Sequence, residues 1–64
     1  MDKERETIRG KRIRLIKMMD PNPVEPGTMG TIEFVDDVGQ YHVRWDNGRT
    51  LAVIPEYDQY EILE

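Results

Sequence analysis

From Gly30 onward the chain alternates apolar with polar residues and is cut twice by turn signals, a pattern that commits it to short antiparallel strands. In TIEFVDDVGQYHVRWDNGRTLAVI, Ile32 and Phe34 share one parity, as do Tyr41, Val43 and Trp45. Gln40, His42 and Arg44 fall on the opposite face. Asp36, Asp37 and Gly39 mark the first turn. Asn47 and Gly48 give the strongest hairpin signal in the chain, because both central residues of a type I′ turn need positive φ. The strand that follows, LAVI at 51–54, is apolar on both faces, so it either lies inside the sheet system or meets a partner.

The segment before this region begins with another strand, at about residues 11–18. In KRIRLIKM, Ile13 and Leu15 alternate with Arg12 and Arg14, then Ile16 and Met18 change parity, which predicts a bulge. MDPNPVEPGT at 19–28 holds three prolines, and Pro26 with Gly27 predicts a type II turn inside a long, stiffened loop. After LAVI, Pro55 ends the strand, PEYDQ reads as one helical turn, and YEIL returns to alternation. The expectation is an all-β domain: a small five-stranded SH3-like barrel with a long Pro-rich first loop and a one-turn helix before the last strand. Closing the sheet removes most of its exposed edge, which suits so short a chain. Residues 1–9 read as a flexible or short helical segment, and 10–64 as the barrel.

At 64 residues and 7.6 kDa there is material for one core and no second domain. With no cysteine, disulfide staples and thiolate metal sites are excluded. The net charge of −4 conceals an asymmetry. Residues 1–17 hold seven basic and three acidic side chains (+4), whereas 18–64 hold two basic and ten acidic (−8). No apolar stretch reads as a signal peptide or a membrane span, so a cytoplasmic location is expected.

Several strings look familiar beyond their periodicity: the GKRIRLIKMMDPNP run, PGTMGTI, VDDVGQ, and above all WDNGRTLAVIP at 45–55. Together they resemble the domain of unknown function 4314 family over about residues 10–63. The resemblance implies a small bacterial or phage-associated protein and carries no assigned activity. The Gly-Thr-Ile to Trp-Asp-Asn-Gly portion, roughly residues 27–50, is also similar to the SH3-like domains of the mind-bomb/HERC2 type, a partial resemblance that implies the fold of an interaction module more than its role.

Catalysis lacks parts. There is no serine and no cysteine, and the single histidine, His42, lies off the core parity of its strand. Asp46, Asn47 and Gly48 read as a turn, since a calcium loop needs alternating oxygen ligands and a distal glutamate, and Arg49 follows at once. Asp36 and Asp37 read as solvated turn residues, so neither a metal nor another cofactor is expected. Two constellations remain as binding candidates. Trp45, Tyr57 and Tyr60 are candidate protein-binding aromatics, although Trp45 and Tyr41 share the core parity of Val43. Arg9, Lys11, Arg12, Arg14 and Lys17 form a basic stripe that suits phosphates. Pro26, Gly27, Gly39, Asn47 and Gly48 are assigned to structural turns. The expected function is a non-catalytic binding or adaptor module for another protein. Nucleic-acid binding through the first strand is the alternative, and homo-oligomerisation a third.

Overall fold

The computed structural model describes residues 7–63. Four antiparallel strands form one sheet: β1 (Arg12–Lys17), β2 (Met29–Val35), β3 (Tyr41–Trp45) and β4 (Gln59–Leu63). Their order across the sheet is β3-β2-β1-β4, so the first and last strands are neighbours. In the register, Arg12 faces Thr31 on one side and Leu63 on the other, and Ile13 faces Gly30 and Ile62. The expected all-β class is what the chain forms. Among the described residues no helix is long and apolar enough to cross a membrane.

The inner face carries the core. Ile13, Leu15, Ile32, Val43 and Trp45 are buried on the strands, joined by Met18, Val24 and Val53 from the connections. Ile8, Tyr41, Leu51 and Tyr60 pack round its margin. Residues 8–10 of the expected N-terminal segment are tied to the domain. Gly10 N–H donates to Ile32 O (2.6 Å) and Lys11 N–H to Ile8 O (3.0 Å); residues 1–6 lie outside the described residues.

Two bulges decide which side chains reach the core. The register of β1 on β4 shifts between Leu15 and Lys17, so Ile16 is the extra residue and Met18 returns inward, as the parity change predicts. A second shift, between Ile32 and Phe34 on β2, inserts Glu33. It overturns the expectation that Phe34 shares the core parity of Ile32: Phe34 is turned to the outer face, 46% exposed.

The LAVI segment makes no regular strand. It contributes one bridge, Val53 to Tyr41, with reciprocal backbone bonds of 2.8 and 2.9 Å. The carbonyl of Leu51 is turned inward to accept the buried Trp45 Nε1–H at 2.8 Å, which takes that group out of any ladder. Residues 55–57, expected as part of a helical turn, form a turn in which the N–H groups of Tyr57 and Asp58 both donate to Ile54 O.

The turn chemistry is of two kinds. Thr28 N–H donates to Glu25 O across Pro26 and Gly27, and Gly27 sits at φ 90°, the expected type II arrangement. The 46–48 hairpin is not type I′, because among the described residues positive φ is confined to glycines and Asn47 does not have it. Gly48 N–H donates to Trp45 O and Trp45 N–H to Arg49 O, so Asp46, Asn47 and Gly48 make a three-residue loop with Gly48 alone at φ 93°. The turn at 37–39 repeats this design, with Gly39 at φ 88°.

Candidate functional site

The outer face of the sheet tests the basic stripe. Arg12 on β1 and Arg44 on β3 flank Thr31 in one row, so basic side chains from separate strands do share a surface. Each is occupied. Arg12 donates to both carboxylate oxygens of Asp46 (3.0 and 2.5 Å) and to Thr31 Oγ1. This pairing raises the Arg12 pKa and holds the Asp46 carboxyl below its ordinary value. Arg14 reaches Glu61 at 3.2 Å, and Arg44 reaches Glu33 at 2.8 Å. Arg49 lies apart and donates to the carbonyls of Asn22 and Pro23, tying the first connection to the hairpin. Arg9 and Lys17 are exposed and Lys11 is half-buried.

The aromatic candidates separate. Trp45 is 1% exposed, filling the core and leaving no ring surface for a partner. That corrects its assignment as a binding aromatic: in so small a core the largest side chain is needed as filling. Tyr60 is half-buried, edge-on to Tyr41 with ring centroids 5.4 Å apart. Burial first, then the hydroxyl of Tyr41, pushes its phenol up to about 12. Tyr57 is 67% exposed and stands at the rim of a cleft.

That cleft runs between the 37–39 turn and the 54–57 turn. Val38, Gly39 and Gln40 form one wall, Ile54, Pro55, Glu56 and Tyr57 the other, and its volume is about 410 Å³. The Asp36 carboxylate organises the first wall by accepting from the N–H groups of Val38 (3.1 Å) and Gln40 (2.9 Å). Its other oxygen lies 2.8 Å from His42 Nε2. These contacts, the histidine bond foremost, lower the Asp36 pKa. The His42 ring is in turn stacked on Phe34 at 4.3 Å. The second wall hangs on Asp58, which is 6% exposed and accepts from Ile54 N–H and Met19 N–H, both at 2.8 Å. The walls are joined by the Tyr41–Val53 bridge, whose two residues directly adjoin Gln40 and Ile54.

The family model for the domain of unknown function (DUF4314) matches residues 4–63. The chain belongs to this family. No curated protein and no solved structure matches. Membership in DUF4314 thus confirms the resemblance seen in the WDNGRTLAVIP string and assigns no chemistry.

In this DUF4314 chain, the cleft is lined only in part by residues that the sequence nominates. Tyr57 lines it, Tyr60 packs against Tyr41 away from its lining, and Trp45 lies in the core. Val38, Ile54, Pro55 and Glu56 were not nominated, nor were the two organising carboxylates. One signal was present: Val38 is an apolar residue in the middle of a polar turn, where nothing local requires it. Among the described residues, no group of three His, Cys, Asp or Glu side chains is placed to hold a metal ion.

Proposed function

We propose that the chain is a non-catalytic protein-interaction module on a small SH3-like barrel, and that the cleft between residues 38–40 and 54–57 is where it grips its partner. The barrel reading is supported by the order β3-β2-β1-β4 with Val53 bridged to the far side of β3. It is supported also by the succession of strand, long connection, strand, turn, strand, hairpin, turn and strand. The observation that carries the function is the pairing of two exposed apolar side chains on opposite lips of one cleft. Val38 is 79% exposed and Tyr57 67%, yet each is fixed by a turn whose backbone is bonded to a carboxylate, the partly exposed Asp36 or the buried Asp58. Exposed apolar surface held in place, rather than left on a loose loop, is what a binding site costs a small domain in solubility. The composition fits a binding role, since neither serine nor cysteine is present and His42 is engaged with Asp36 and Phe34.

Selection of random short peptides displayed on phage against the immobilised domain tests this reading, with Tyr57→Ala and Val38→Asp as comparison baits. The expected outcome is a set of enriched peptides that bind Tyr57→Ala about tenfold more weakly, a loss of ~1.4 kcal/mol appropriate to an aromatic anchor. Failure to enrich any peptide, or enriched peptides indifferent to both substitutions, would remove the cleft as the contact surface. Mixed-sequence DNA and a second copy of the chain, assayed in parallel by anisotropy and light scattering, are the competing ligands.

A further inference from the structure

We propose that Asn47 is a gated site of spontaneous deamidation: its side chain cyclises onto the Gly48 nitrogen when the hairpin opens, and the closed hairpin, clamped by Arg49, holds that reaction back. This is independent of the cleft and of what binds there. The chemistry needs water and no other co-reactant. The Gly48 nitrogen loses its proton to solvent base and attacks Asn47 Cγ, the Cγ–Nδ2 bond breaks, ammonia leaves, and a succinimide ring forms. Water then opens the ring, giving aspartate when it attacks Cγ and isoaspartate when it attacks the main-chain carbonyl carbon. Glycine at position 48 favours closure, because no Cβ crowds the attacking nitrogen.

Asn47 and Gly48 are both exposed, so base and water reach them. The closed loop nevertheless opposes each part of the reaction. Gly48 N–H donates to Trp45 O at 2.9 Å, so the proton that must leave is held by a carbonyl that cannot take it. Asn47 Oδ1 accepts from Arg49 N–H at 3.1 Å, which fixes the side chain on the residue beyond its target. Bringing Cγ onto the Gly48 nitrogen requires rotation of the backbone between them. That rotation breaks the Gly48 bond and strains the bond from Trp45 N–H to Arg49 O, also 2.9 Å. Arg49 resists from a second direction, since its guanidinium donates to Asn22 O at 2.7 Å and Pro23 O at 2.8 Å. The hairpin therefore cannot swing away without leaving the first connection, which the buried Val24 anchors in the core. Reaction then follows the population of the open hairpin. Isoaspartate adds a methylene to the main chain inside a three-residue loop, so Trp45 and Arg49 no longer meet in register, and the modification records that the hairpin has opened.

Of the chain's two asparagines only Asn47 can react in this way, because Asn22 precedes Pro23, whose nitrogen has no proton to lose. The 15N-labelled full chain is incubated in mildly alkaline buffer with and without denaturing urea. Conversion is followed by intact mass and by loss of the Asn47 side-chain NH2 signals. A peptide spanning residues 45–50, incubated in both buffers, gives the effect of urea on the chemistry itself. Conversion in the folded chain is expected to be slower than in the unfolded chain by about tenfold or more, the effect of breaking the loop's backbone bonds before closure. Arg49→Ala keeps the backbone N–H and carbonyl at position 49 and frees only the first connection. It is expected to convert about two- to fivefold faster than the parent, with the Ile13 and Ile32 amide shifts unchanged. Equal rates for the folded and unfolded chains overturn the gating. An Arg49→Ala rate equal to the parent's overturns the clamp.

Discussion

At the scale of single residues, Asp58 shows how one buried carboxylate can organise a small domain. It is the buried charged side chain among the described residues, and its two oxygens accept from backbone N–H groups that come from opposite ends of the chain. Met19 opens the connection after β1, and Ile54 precedes the turn that carries Tyr57. Removing either oxygen as an acceptor leaves a donor in a site that water reaches poorly. Asp58→Asn turns an amide N–H toward one of those donors and is expected to lower unfolding free energy by about 1–3 kcal/mol, read as an earlier urea midpoint at unchanged slope. A loss well below that range would mean that Met19 and Ile54 find other acceptors when the carboxylate is altered. Nothing in the string PEYDQ announces this role. The Met19 bond spans 39 residues, so the carboxylate's task exists only once β1 and β4 are paired.

Elements were legible where the code is local. Alternation identified the buried positions Ile13, Leu15, Ile32, Val43 and Trp45, and the switch of parity after Leu15 located the first bulge. The turn through Pro26 and Gly27 followed from backbone sterics alone. What was hidden depends on pairing. Glu33 has no feature that marks it as an inserted residue, yet its bulge moves Phe34 from the core to the surface against His42. The LAVI segment reads as a strand by composition, but Trp45 needs an acceptor for its indole N–H and takes the Leu51 carbonyl. Asn47 beside Gly48 has the composition of a two-residue turn, whereas the chain uses three residues and asks only Gly48 for positive φ. That distinction is measurable. Gly48→Ala is expected to cost about 1–2 kcal/mol through left-handed strain. Asn47→Ala loses only the bond from Arg49 N–H to Asn47 Oδ1, about 0.5–1.5 kcal/mol. A type I′ hairpin would make both positions sensitive to backbone strain, so replacing Asn47 by glycine discriminates further. It stabilises a type I′ turn and weakens the observed loop, as thermal or urea unfolding of the three variants reports.

Over the whole molecule, the division into a basic first quarter and an acidic remainder is resolved largely by the sheet itself. Pairing β1 with β2 and β4 brings Arg12 to Asp46 and Arg14 to Glu61, so the first strand's arginines meet carboxylates from the chain's own acidic portion. These are exposed pairs of small intrinsic worth, and their larger consequence is for partners. A phosphate approaching this face competes with carboxylates already in place and meets the repulsion of a chain with net charge −4. If Arg9, Lys11, Arg12, Arg14 and Lys17 all gripped phosphates, log affinity against log salt would fall with a slope of about −4.5 on duplex DNA. The ion pairs argue for the opposite result, no binding of labelled mixed-sequence DNA by anisotropy at moderate salt. They also make a sharper prediction: Asp46→Asn combined with Glu61→Gln releases both arginines and raises the net charge by two. That variant should acquire salt-sensitive DNA affinity which the parent chain lacks. Steep salt-dependent binding by the parent, abolished by Arg12→Ala and Arg14→Ala, would instead show that DNA displaces the carboxylates, and would make the outer face of the sheet the functional one.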